Sequence, residues 1–318
     1  MATMTCARKP GRPQKCQIDR FRTMAWYTSV EGRIHPFTSY AVEKHFNPDK
    51  FIYVRDKGMK RPCKFDKYKQ GKHVPCDKLV DEIENEFKGT KEWLIHPLWE
   101  ISKPPTLEVE KIYKLLAELK PSIKNLIFYS SPSPPYVSHR KHDNIEKLAE
   151  KLNKDSSWDA LAACIGLIQE AKYLNNPGVH FFVSRTALTI FLRVASCYPM
   201  RFIALEYFEY LKKHFLPNKI DPRIDTILNS INVENEINYY HYLRLMIEDL
   251  YIQNNGLLAS NTCLYFADKY LSNASLREIY TFKFNHDWKS VRRHPSIKKL
   301  TRAIRRWETS NEYEYSYP

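Results

Sequence analysis

Only eight glycines occur in 318 residues. Sandwiches of β-strands and nucleotide-binding α/β sheets both lean on glycine, for tight turns and for phosphate loops, because glycine adopts backbone conformations that other residues resist. A chain this poor in glycine is expected to be mostly helical. Hydrophobic periodicity agrees from about residue 144 onward. There apolar residues recur at helical spacing over 144–153, 156–174, 184–197, 199–213, 223–231, 234–253, 260–271 and 296–307. Pro177-Gly178, Pro217 and Pro222 read as turns between these helices. The most apolar run, Phe181 to Leu211, is interrupted by Arg185, Arg193 and Arg201. That density of charge argues for the core of a helical domain, with no membrane span.

The first hundred residues have a different texture. Asp19 to Val30 has helical spacing, with Phe21, Met24, Ala25 and Thr28 on one side. SYAVEKHF, 39–46, reads as a short helix capped by Thr38 or Ser39 and ended by Asn47-Pro48. Phe51 to Val54 are strand formers, and Lys57-Gly58 suits a turn, so 51–62 reads as a small hairpin or an ordered loop. Cys63 to Gln70 reads as a helix stopped by Gly71. Pro75 to Phe87 follows as a helix with Asp77 as N-cap and Leu79, Val80, Ile83 and Phe87 as its buried stripe. Trp93, Leu94, Leu98, Trp99 and Ile101 should cover a core edge. The adjacent prolines of SKPPT, 102–106, form a stiff connector. Three parts are therefore expected: a basic flexible arm, 1–17; a first, mainly helical domain, 18–101; and a larger helical domain, 107–318.

Charge is distributed unevenly. Residues 1–80 hold 18 Lys and Arg against 7 Asp and Glu, and residues 283–306 hold 9 against 1. The intervening 81–282 hold 23 against 25. Basic ends on a near-neutral middle point to a polyanion, with nucleic acid first and an anionic membrane surface second. Seven cysteines, irregularly spaced and without a CxxC, read as free thiols of a reducing, cytoplasmic (nucleoid-associated) setting. The first residues lack the apolar stretch of a secretory signal.

Catalytic signatures are scarce. Walker, G-x-S-x-G and H-E-x-x-H patterns are absent. Cys63, His73 and Cys76 have the wrong spacing for a closed zinc site. His139, His142 and Asp143 fit a polar loop, Glu82 and Glu86 a solvated helix face, and His180 with Ser184 lacks a third partner. No cofactor, no metal and no catalytic residue is expected, and the chain leans away from being an enzyme.

Taken together, SYAVEKHF, KFDKYKQGKHVP and CDKLVDEIENEF resemble the phage-repressor (Cro/XRE-type) helix-turn-helix class over residues 38–88. The matching positions are Ala41, Tyr68, Gly71, Pro75, Leu79 and Ile83. Residues 47–62 stand where the family has only a few. The resemblance implies a recognition segment within 59–69. Lys60, Arg61, Lys64, Lys67 and Lys69 would face the major groove, with Arg61 best suited to a guanine, and Lys72 and His73 would lie near the backbone. RKPGRPQK, 8–15, resembles an AT-hook, which implies minor-groove contact by Arg12 with Arg8 and Lys15 beside it. SIKKLTRAIRRWET, 296–309, is a basic amphipathic helix that reads as a docked terminal helix with a basic outer face, as a second DNA contact through Arg302, Arg305 and Arg306, or as a membrane-surface helix. The expected function is DNA binding by a bacterial or mobile-element transcriptional regulator, with 18–101 as a helix-turn-helix-like DNA-binding domain, 107–318 for oligomerisation, sensing or an effector role, and RNA as a possible ligand. A second copy or a protein partner would bind through the C-terminal domain. The alternative is a phage-defence or toxin-like protein whose helical domain is the effector.

Overall fold

Helices carry almost all of the structure, and the only sheet among the described residues is a two-stranded ribbon. The computed structural model describes residues 16–55, 58–103, 108–129, 141, 144–217, 222–252, 261–271 and 293–303. The chain divides into two compact units, Met1–Lys103 and Pro104–Pro318, with the division inside the proline connector.

In the first unit, α1 (Gln17–Glu31) is the central element. Trp26, Tyr27 and Val30 on it are fully buried. Around them pack Val42 of α2 (Ser39–Phe46), Phe65 and Tyr68 of α3 (Lys64–Lys69), Leu79, Val80 and Ile83 of α4 (Asp77–Glu86), and Leu94 of α5 (Glu92–Ile95). Each such side chain contributes roughly 1.5–3 kcal/mol on leaving water. Thr38 caps α2 as its residue type suggests, its hydroxyl accepting from the Ala41 N–H at 3.2 Å. The cap of α4 falls one residue earlier than the sequence suggests. Cys76 is the N-cap, and Asp77 stands in the first turn, where its charge favours the helix dipole. His96-Pro97 divides the aromatic-rich segment into α5 and α6 (Pro97–Ile101), because a proline is accepted only at the start of a helix. Between α2 and α3, strands β1 (Ile52–Val54) and β2 (Gly58–Lys60) pair antiparallel.

The second unit is built on the pair α10 (Trp158–Tyr173) and α11 (Pro177–Ala195), both buried over most of their circumference. Helix α11 begins well before the sequence-based start at 184. Pro177 is its first-turn proline, not a turn residue, and Asn176 caps it by accepting from the Val179 N–H at 3.1 Å. By length and composition α11 could cross a bilayer, yet 72% of its most apolar window is buried inside the unit. Helix α7 (Val109–Ala117) meets α10 at Gly166. A methyl group there would lie 2.9 Å from Leu116 and 3.3 Å from Ile112. Helix α8 (Pro121–Ile127) escapes the sequence reading because it is only seven residues long. Helices α9 (Ile145–Asp155), α12 (Ala204–His214), α13 (Arg223–Ser230), α14 (Val233–Ile252) and α15 (Asn261–Tyr270) complete the layer, with a last described helix over 295–303.

Buried in this unit is a cation, Arg193 of α11. Nη1 donates to the Asn153 backbone oxygen at 3.1 Å, to Asn153 Oδ1 at 2.8 Å and to Ser156 Oγ at 2.9 Å. Nη2 meets Asp268 Oδ2 at 2.9 Å. The guanidinium lies 5.7 Å from the Tyr240 ring and 5.4 Å from the Tyr265 ring. Four helices, α9, α11, α14 and α15, therefore share one charge.

Thiol reactivity offers a direct check on the core. Cys63 and Cys76 are exposed, whereas Cys164 of α10 is enclosed and burial pushes its thiol well above the usual range. Native-state labelling with a maleimide should modify Cys63 and Cys76 within minutes and Cys164 only on unfolding, read by peptide mass spectrometry. Fast labelling of Cys164 would contradict the packing of α10.

Candidate nucleic-acid interface

Three elements converge on one acid. Glu43 of α2 has a side chain 1% exposed. Arg61, just past β2, brings Nη1 to its Oε2 at 3.0 Å, and the Lys64 N–H opening α3 donates to its Oε1 at 2.7 Å. Arg61 Nη2 also reaches Asp66 Oδ2 at 2.6 Å, while the Ser39 hydroxyl donates to Asp66 Oδ1. The guanidinium lies 5.6 Å from the Tyr40 ring. Partial burial works against the charged form of Asp66, but the hydrogen bonds from Ser39 and Arg61 and the Arg61 charge outweigh it. Its pKa is therefore lowered.

Helix α3 is held from two sides. Phe65 stacks on Phe46 at 6.2 Å, and Tyr68 meets Trp26 edge-on at 5.6 Å. Burial, followed by the neighbourhood of Cys76 and Glu43, pushes the Tyr68 phenol up to about 12. The helix ends in a Schellman motif: Lys72 N–H donates to Lys67 O at 2.8 Å and Gly71 N–H to Tyr68 O at 2.9 Å. Gly71 is left-handed, at φ +64°, and a methyl group on it would lie 2.4 Å from Arg20 Cγ and 2.9 Å from Arg20 O. Both the conformation and the contact with α1 require glycine. Pro75 is buried at the approach to α4. Tyr68, Gly71 and Pro75 are thus scaffold.

The expected contact residues have different fates. Residues 59–69 do not form one helix: 58–60 is strand, Cys63 is left-handed, and α3 has six residues. Lys60, Lys64, Lys67, Lys69 and Lys72 are exposed, and His73 is half-buried. Lys69 Nζ lies 2.8 Å from Glu31, which also accepts from the Tyr27 hydroxyl at 2.8 Å. Arg61 is turned inward onto two carboxylates, so its guanidinium is not presented to a groove. Lys69, Gln70, Gly71 and Lys72 line a shallow depression with Gln17, Arg20 and Met24 of α1. Acidic side chains collect instead on α4, where Asp77, Asp81, Glu82 and Glu86 are exposed. In the second unit Arg302 is exposed on the 295–303 helix, whose Ile297 and Leu300 are buried. Arg8, Arg12, Lys15, Arg305 and Arg306 lie outside the described residues, as do His139, His142 and Asp143.

Other chemistry is thin. Among the described residues no group of three His, Cys, Asp or Glu side chains converges as metal ligands. His180 and Ser184 are buried one turn apart on α11, 3.4 Å from each other, and the His180 ring lies 3.2 Å from the Phe215 carbonyl oxygen. A backbone carbonyl stands where a triad would need a carboxylate.

Comparison with protein-family models, curated proteins and solved structures gives no match. The role of Glu43 was open to sequence reasoning and was passed over. It lies three residues from both Tyr40 and Phe46, on the apolar stripe of α2, and a carboxylate in such a stripe demands a cationic partner. Arg55, which directly follows β1, is the other omission. It is exposed and makes no ion pair among the described residues.

Two predictions follow from this geometry. Gly71→Ala combines left-handed strain with a clash against backbone and should cost about 2–4 kcal/mol in chemical unfolding. Gly89→Ala, at φ +86° but with nothing within 4 Å, should cost about 1–2 kcal/mol. Equal costs would refute the close approach of α1 and α3. The second prediction concerns acid. Because the folded pKa of Asp66 is depressed, its stabilising share is complete above the unfolded value near about 3.9 and is lost as pH falls through the lower folded value. Unfolding midpoints measured between pH 3 and pH 6 should drop on the acid side, and Asp66→Asn should flatten that limb.

Proposed function

We propose that this protein binds duplex DNA through its N-terminal unit, as a regulator of transcription. One observation carries the reading: around α2 and α3 charge is sorted by depth, and the exposed acids Asp77, Asp81, Glu82 and Glu86 lie apart on α4. The carboxylates Glu31 and Glu43 are buried, and Asp66 is half-buried. Each is occupied by Arg61, Lys69, Tyr27 or Ser39. Lys60, Lys64, Lys67 and Lys72 remain outside and make no ion pair among the described residues. A lysine layer whose neighbouring acids are already committed keeps its positive potential, which is what phosphate recognition needs. The arm, 1–17, is basic as well, with Arg8, Lys9, Arg12 and Lys15 and no acidic residue. In this reading α3 is a phosphate-contacting helix, and its helix-turn-helix surroundings serve to hold it.

The test is a titration of labelled duplex DNA by the full chain at several salt concentrations. Neutralising roughly 4–8 phosphates should give a log–log slope near −4 to −7. Lys67→Ala with Lys72→Ala should make the slope shallower by about 2 and weaken all sequences alike. A flat salt response would overturn the proposal.

A further inference from the structure

Among the described side chains, the ribbon between α2 and α3 is covered on neither face. Its register pairs Tyr53 with Met59 and Ile52 with Lys60. Alternation along a strand puts the first pair on one face and the second on the other. Tyr53 is 73% exposed, Ile52 60% and Met59 53%, and Lys60 is exposed too. A two-stranded ribbon with both faces wet is marginal by itself. Among the described residues the ribbon is fastened at its root: Phe51 meets Tyr40 edge-on at 5.3 Å, and Arg61 is clamped by Glu43 and Asp66.

We infer that this ribbon, and not α3, is the element that reads base edges, by entering the major groove of DNA, with Arg55 as its specificity-determining residue. The inference rests on the DNA-binding reading above and locates the reading element within it. Three observations support it. A two-stranded ribbon has the cross-section the major groove admits, whereas a six-residue helix offers fewer than two turns. Entry into a groove covers both faces of the ribbon, which suits apolar side chains on both. A single strand lying on the surface would cover only one. Charge is complementary as well. Arg55 and Lys60 carry no ion pair among the described residues, and Lys50 Nζ donates to a neutral acceptor, the Asn47 side-chain oxygen, at 2.9 Å. Over residues 49–60 the sequence sets Lys50, Arg55, Lys57 and Lys60 against Asp49 and Asp56, so the segment is basic on balance. In the groove, Arg55 supplies the paired N–H donors that match a guanine edge, and Tyr53 or Met59 supplies apolar contact for a thymine methyl.

The experiment is selection from a random-sequence duplex pool by the full chain, followed by binding of the enriched duplex at several salt concentrations. Arg55→Ala should flatten the preference at one base position and weaken the enriched duplex by between about fivefold and a hundredfold. Non-specific affinity should change by far less. Tyr53→Ala with Met59→Ala should lower specific affinity while leaving the unfolding midpoint unchanged, since both side chains are exposed. Lys60→Ala should make the salt slope shallower by about 1. If Arg55→Ala and the double variant return the same enriched sequences with unaltered affinity, the ribbon is not the reader, though DNA binding stands. If the wild-type chain shows no salt-dependent duplex binding, both readings fall. Preference for single-stranded RNA over duplex DNA would overturn groove entry.

Discussion

A carboxylate that has lost its water organises the N-terminal unit. An ionised group as enclosed as Glu43 is tolerable only when cations and N–H donors replace its hydration. Arg61 and the first N–H of α3 supply that replacement, and in doing so they fix two positions together: the root of the ribbon and the start of the helix. The remaining contacts follow from this anchor. Once α3 starts beside Glu43, Phe65 and Tyr68 fall onto α2 and α1, and the chain must then reverse at Gly71 against the backbone of Arg20. Such a pairing need not add much net stability, since replacing water around a charge mostly restores what burial removed. It fixes one arrangement among many apolar alternatives.

Much of this scaffold was legible from residues alone, because it depends on local rules. The bounds of α2 follow from Thr38 and Asn47, and the stop of α3 follows from a glycine. A predominantly helical chain follows from the shortage of glycine and the 3.6-residue period. What was not legible depends on partners far away in sequence. Residue type alone does not distinguish a guanine-reading arginine from a structural one; the difference lies in Glu43, 18 residues earlier, and in Asp66 on the following helix. The split between a hairpin or loop over 51–62 and a helix from Cys63 was legible, but a lysine in the 57–72 run reads the same whether it pairs, as Lys69 does with Glu31 38 residues earlier, or stays unpaired. Solvent-facing lysines suit either. Pro177 illustrates a different limit. As a residue type it marks both turns and first helical turns, and only the Asn176 cap decides between them.

The helical unit shows the same physics with the signs exchanged. There the desolvated ion is Arg193, and its compensation comes from a backbone carbonyl, two polar side chains, two aromatic rings and one carboxylate. Helix α11 thereby carries a requirement as well as apolar surface: its most buried charge must find partners on three other helices.

That requirement has a consequence for the order in which the chain can mature. Asp268 lies 75 residues beyond Arg193, so a growing chain exposes the guanidinium long before the carboxylate that completes its shell has been synthesised. Until α15 emerges, the ends of α9 and α11 near Arg193 have to stay hydrated. The bundle therefore cannot close in simple order from its first helix to its last. Its centre becomes dry only after one of its latest helices arrives, which makes the far end of the chain a checkpoint for its middle.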